Sequence, residues 1–167
     1  IYFRGPYEFL FTLGAPIGAM MSGFLFRKEW KAVLTYFTTL LAIYFVIPLS
    51  WQLPIWGMWD TYLAYVVLIL VIILVAKRKS LNLQSKGLVY TVVLCTFVGL
   101  EADVLFRIFV FIPCQTYRIF YDYGVEALRS IWVLGAAETP VKVAISILVA
   151  SIIVPPLIKV LNKMGLD

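Results

Sequence analysis

Val66-Val-Leu-Ile-Leu-Val-Ile-Ile-Leu-Val75 is a run of ten aliphatic residues, closed after Ala76 by the basic triplet Lys77-Arg78-Lys79. The uncharged stretch around it, roughly Thr61 to Ala76, reads as a membrane-spanning helix, which needs about 20 mostly apolar residues. Four more runs of the same kind flank it: Tyr7 to Phe26, closed by Arg27-Lys28-Glu29; Trp30 to Leu49, closed by Pro48 and the Trp51–Trp59 stretch; Gly87 to Ile112, closed by Pro113; and Thr139 to Leu161. Thr139-Pro140 reads as the start of the last helix, because threonine can cap and proline fits a first turn.

The composition agrees. Of 167 residues, 63% are hydrophobic and 14% charged, about half the charged share of a soluble domain. Mean hydropathy is +0.97. A water-soluble enzyme, a disordered chain and a disulfide scaffold are excluded. The expected fold is an all-α integral membrane protein, a single transmembrane domain over residues 1–167. It is a bundle of five to six transmembrane helices with a long external connection, Cys114 to Glu138. Within that connection Val125 to Gly135 reads as a short helix or half-buried segment, and its aromatic residues suit either a functional loop or the headgroup level of a bilayer. The chain opens on isoleucine, as expected if a further helix precedes Ile1.

Histidine is absent, which removes bis-histidine haem, histidine–zinc sites and histidine triads. Cys95 and Cys114 are too far apart for a CxxC motif. There is no phosphate-binding loop, dinucleotide fingerprint or nucleophile elbow. The chain reads as a non-enzyme with no metal and no cofactor. Its basic residues lie in short loops, so they set topology in membrane lipid and do not imply nucleic acid.

Four sets of residues are candidates for function. Gly14, Gly18 and Ser22 recur at spacing four, with Ala15, Ala19 and Gly23 one step round. Such a small-residue face allows close helix approach, either within the molecule or onto a partner subunit. In the fourth run, Asp103 and Arg107 share a helix face and can pair. Glu101 lies off that face, about 22 Å along the helix from Lys86, and is expected to meet Lys142 or a ligand. Ionisable residues in a membrane usually face a cavity, a partner or water; here a ligand site stands against a self-satisfied ion pair. Glu138 and Lys142 form a second i,i+4 pair. Trp132, with the mixed charges Arg118, Asp122, Glu126 and Arg129, completes an aromatic, polar wall suited to a small polar ligand with a flat ring. The expected ligand-binding set is Glu101, Asp103, Arg107, Trp132, Glu138 and Lys142.

Three stretches resemble the substrate-binding S component of energy-coupling factor (ECF) transporters. They are Leu13-Gly-Ala-Pro-Ile-Gly-Ala-Met-Met-Ser-Gly23, the cluster Glu101, Asp103, Arg107, and the final helix from Glu138-Thr-Pro-Val-Lys142 to Val154-Pro-Pro-Leu-Ile-Lys159 with its Gly165 tail. The likeness covers most of the chain in layout. Members of that family have six helices, and their alanine-x-x-x-alanine docking motif belongs to a first helix that would here lie before Ile1. The resemblance implies a vitamin- or micronutrient-binding membrane subunit that works with a transmembrane T subunit and ATPase subunits and does not hydrolyse ATP itself. An accessory or structural subunit of a larger membrane complex is the alternative.

Nine of the fourteen basic residues sit at alternate ends of the runs: Arg27, Lys28, Lys31; Lys77, Arg78, Lys79, Lys86; Lys159, Lys163. The positive-inside rule makes those ends cytoplasmic. In single-cysteine variants, an impermeant reagent outside intact cells is expected to label Gly124→Cys and spare Ser80→Cys; the opposite pattern would invert the topology.

Overall fold

The structure, a computed structural model, describes residues 9–77 and 87–164. Tyr7, Arg78, Lys79, Ser80, Lys86 and Gly165, used in the reading above, lie outside them. Among the described residues all regular structure is helical: α1 (Phe9–Thr12), α2 (Gly14–Phe26), α3 (Trp30–Val46), two short 3-10 turns (Pro48–Gln52 and Ile55–Met58), α4 (Trp59–Lys77), α5 (Leu88–Phe111), α6 (Thr116–Ile119) and α7 (Val125–Lys163). Four segments are long and apolar enough to cross a membrane: Phe9–Phe26, Ile55–Leu74, Leu88–Phe111 and Val125–Leu161. The fifth expected span, α3, is apolar but has only 17 residues, at the short end of the range for a span. The protein is an all-α membrane bundle.

The α2–α3 reversal is tight because Lys28 takes a left-handed conformation (φ 64°). That lets Lys28 N–H reach Leu25 O at 3.0 Å and Glu29 N–H reach Phe24 O at 2.8 Å, so two carbonyls at the helix end are satisfied. In the middle of the bundle, α5 packs against α2, α3, α4 and α7. The core joins Val33 and Phe37 of α3, Ala64 and Leu68 of α4, Val98, Ala102 and Leu105 of α5, and Leu128 of α7, all fully buried. Leu148, Ile152, Ile153 and Leu157 of α7 point outward, as lipid-facing positions should.

The closest contact is between α2 and α5, which run antiparallel. A Cβ on Gly14 would meet the Asp103 carboxylate, and one on Gly18 would meet the Gly99 carbonyl; one on Gly99 would meet Ser22 and the Gly18 carbonyl. Ser22 Oγ donates to Cys95 O at 2.7 Å. Of the two roles open to the Gly14–Gly18–Ser22 face, the structure uses the internal one: α5 covers it. Ala15, Ala19 and Gly23, one step round, are exposed.

The last helix corrects the reading of residues 114–138. Thr139-Pro140 does not start it. The helix begins at Val125 and runs for 39 residues with Pro140, Pro155 and Pro156 inside, so the non-spanning connection is confined to the stretch around α6, and α7 extends to about 58 Å. Pro140 has no N–H to give the carbonyl four residues earlier. That carbonyl, Ala136 O, instead accepts the Trp59 indole N–H at 3.0 Å. Two turns lower in number, Arg129 Nε donates to Gln52 O at 3.0 Å. The first third of α7 is thereby fastened to the segment that leads into α4.

Two stability measurements in detergent check these contacts. Gly18→Ala is expected to cost about 1–3 kcal/mol, the usual range for overpacking, whereas Gly23→Ala, with open space at its Cβ, should be neutral or slightly stabilising. Trp59→Phe leaves Ala136 O without a partner and should cost about 1–3 kcal/mol. In a Pro140→Ala background, the new N–H takes that carbonyl, so the same Trp59→Phe should cost clearly less; equal costs in the two backgrounds would contradict the pairing.

Candidate functional site

Where α4 begins, α5 and α7 diverge and leave a cavity of about 630 Å³, within the size range of small-molecule sites. Its walls include Gly57 and Met58 from the turn before α4, Asp60 from the start of α4, Asp103, Val104 and Arg107 from α5, and Trp132, Gly135, Thr139, Lys142 and Ser146 from α7, with Phe11 and Phe111.

Helix geometry sorts the α5 acids. Two residues apart on a helix means about 200° of rotation, so Asp103 and Glu101 face opposite ways. Asp103 lies over Gly14 and binds Arg107 in a two-pronged pair, Nε to Oδ1 at 2.7 Å and Nη2 to Oδ2 at 2.9 Å. Arg107 is half exposed, which places this pair toward the cavity mouth. Glu101 turns to α4. It is fully buried, and its Oε2 accepts the Thr61 hydroxyl at 2.8 Å. The sequence reading had Glu101 meet Lys142 or a ligand; instead it does not line the cavity, and its partner is Thr61. Lys142 lines the cavity and pairs at 2.5 Å with Glu138. Both side chains are well exposed, and Glu138 stays outside the cavity wall.

Of the six expected ligand residues, Asp103, Arg107, Trp132 and Lys142 are brought together; Glu101 stands one layer behind and Glu138 at the rim. Arg118, Asp122, Glu126 and Arg129 do not line the cavity.

Asp60 was missed. It lies in the first turn of α4, where the aligned peptide dipoles favour an acid, so in the sequence it reads as an ordinary start to an apolar run. In the structure it is buried and lines the cavity. Its Oδ1 accepts Thr61 N–H at 2.9 Å. Thr61 therefore joins two carboxylates from different helices, Asp60 through its amide and Glu101 through its hydroxyl. Tyr44 was also missed: its ring stacks on Trp132 at 6.0 Å and 3° and holds the indole in place. Gly57 leaves the room the indole needs, since a Cβ there would meet Trp132.

Among the described residues, three buried side-chain polar atoms have no hydrogen-bond partner: Asp60 Oδ2, Glu101 Oε1 and Trp132 Nε1. Asp60 and Trp132 are cavity walls and Glu101 is tied to Asp60 through Thr61. Native proteins rarely leave buried polar atoms unpaired, and here the exceptions gather at one place. The three atoms are themselves enclosed by protein, and two ion pairs stand at the cavity rim.

No family model, curated protein or solved structure matches this chain.

Thr61→Val removes the partner of a fully buried carboxylate and is expected to lower stability by about 1–3 kcal/mol. Glu138→Gln breaks only an exposed i,i+4 pair and should change stability by about 0.5 kcal/mol or less. Denaturant titration of both variants checks the order; a larger loss for Glu138→Gln would contradict it.

Proposed function

We propose that this chain is the substrate-binding subunit of an uptake system, a multi-pass protein of a prokaryotic cytoplasmic membrane that takes a small water-soluble vitamin or micronutrient. The observation that carries the reading is the 630 Å³ cavity, with Asp60, Asp103, Arg107, Trp132 and Lys142 in its wall. A mostly apolar wall with a few charged and aromatic side chains is the make-up of a small-molecule site. The cavity lies at the end of the bundle opposite the basic turn at Arg27 and Lys28, the end assigned to the outside by the positive-inside rule. Its role is binding; without histidine or a nucleophile–base pair, chemistry on the ligand is not proposed.

The resemblance to ECF S components gives this role its partners: a T subunit and ATPase subunits that supply the energy. The Gly14–Gly18–Ser22 face is occupied by α5, so docking falls to another surface. The exposed stripe Ala15, Ala19 and Gly23 on the same helix has the small side chains that a close helix contact requires.

The test uses protein purified from membranes in mild detergent, with the small molecules released on denaturation identified by mass spectrometry. A Cβ on Gly135 would point into open space, and Gly135 lines the cavity, so Gly135→Trp fills it with little strain. Wild-type protein is expected to release a compound in near-stoichiometric amount, and Gly135→Trp to release at least tenfold less at unchanged folding. Equal release from the two proteins would refute the assignment.

A further inference from the structure

We propose that α7 is a two-fold interface on which a second copy of this chain packs. The buried residues of α7, Leu128, Trp132, Ala136 and Val143, share one side at about 100° per residue. The opposite side carries Leu134, Glu138, Val141, Ile145, Leu148 and Ile152, each more than half exposed. Their spacing alternates four and three from Leu134 to Ile152, the pattern of a seam between two helices that wind around each other. The seam is about 27 Å long, close to the hydrocarbon thickness of a bilayer. Pro155 stands where its next residue would fall. Ile145 also touches the edge of the cavity, but the seam stands whatever the cavity holds.

In a single copy this face meets lipid, and one part of it suits lipid badly. Ala136 is level with Trp59, to which it is bonded, inside the span Ile55–Leu74. Glu138 therefore stands about 3 Å, and Lys142 about 9 Å, further along α7 into the membrane. Ionisable side chains at such depth usually face the bundle interior, water or a partner. Lys142 reaches the cavity, whereas Glu138 faces away from the bundle. A second copy covers it by symmetry. Both copies insert in the same orientation, so a two-fold axis along the membrane normal sets α7 parallel to α7. Each Glu138 then meets the Lys142 of the other copy, one turn along, and two acids and two bases share the contact. The remaining seam residues favour the same number of strands. Ile145 and Ile152 alternate with Leu134, Val141 and Leu148, and isoleucine at the first set of seam positions with mostly leucine at the second is the choice that selects two parallel helices. Glu138, the one polar residue of the seam, occupies the first set, where a polar group fixes register.

The full chain is tested in native membranes and in mild detergent. A Cys114→Ser background removes the exposed native thiol. In it, oxidation in membranes is expected to cross-link Leu148→Cys into dimers and to leave Ile153→Cys, also exposed but about 140° round the helix from Leu148, largely monomeric. Light scattering in detergent should give wild-type protein the mass of two chains. Glu138→Lys and Lys142→Glu each place four like charges at the contact, so each alone should dimerise at least tenfold more weakly. Differently tagged copies of these two variants, expressed together, should copurify as a one-to-one pair, a rescue that only a contact between chains produces. A single-chain mass with no Leu148→Cys cross-link leaves the face to lipid and would overturn the proposal. Equal cross-linking at the two positions, another protein cross-linked to the seam in place of a second copy, or folded charge variants that do not pair would overturn it as well. Where a charge variant fails to fold, the contrast between Leu148→Cys and Ile153→Cys decides.

Discussion

Glycine at 18 and at 99 lets the backbones of α2 and α5 touch, and the placement of the polar groups follows from that contact. With no side chain between them, the two helices hold Asp103 against Gly14, where no Cβ interferes. The Asp103–Arg107 pair is fixed at the edge of α2, pointing to the cavity mouth. Glu101, two residues earlier, is turned to α4 and Thr61. One close approach therefore sets the rotation of α5, and α5 touches every other long helix. In a bilayer, where lipid tails are as apolar as leucine, such packing and interhelical hydrogen bonds carry association. Tyr36 to Ala102 O at 2.9 Å and Ser22 to Cys95 O at 2.7 Å are two of those bonds.

The opposite side of the site depends on a defect put to use. Pro140 frees a carbonyl in the middle of a long helix, and Trp59 takes it. That bond ties α7 to the start of α4, the place where Asp60 and Thr61 sit. The cavity is what remains when α7 is held at its first third by Trp59 and Arg129 while its later, apolar two-thirds lies toward lipid. Polar groups are distributed unevenly over this space: ion pairs at the rim, buried carboxyl groups linked by Thr61 behind the inner wall. The rim pairs are exposed and contribute little to stability, whereas a buried carboxylate oxygen without a partner is costly.

Much of the bundle was legible because membrane helices announce themselves locally. Five apolar runs fall in helical segments, and Asp103, Arg107, Trp132 and Lys142 were picked out as polar or aromatic residues in or beside them. What was not legible depends on contacts between distant residues. Glu101 meets Thr61, 40 residues away, and no spacing rule selects a threonine at a helix start over a lysine. Pro140 looked like a first-turn proline because its missing N–H is harmless there; the compensating Trp59 is 77 residues away. Asp60 looked like an N-terminal helix acid, which it is, and only the fold shows that α5 and α7 bury it. The small-residue face of Gly14, Gly18 and Ser22 was read as a surface for close approach and assigned to partner docking, but sequence alone does not say which helix approaches, and here it is α5.

The central claim is that a solute binds beside Trp132. Fluorine NMR of 5-fluorotryptophan-labelled protein reads that position directly, with the Trp132 resonance assigned by Trp132→Phe. The account predicts that adding the dialysable small molecules of the host cell shifts the Trp132 resonance while leaving exposed Trp51 unchanged, and that Gly135→Trp removes the shift. A Trp132 resonance that does not move under saturating extract, or one that moves equally in Gly135→Trp, would contradict it.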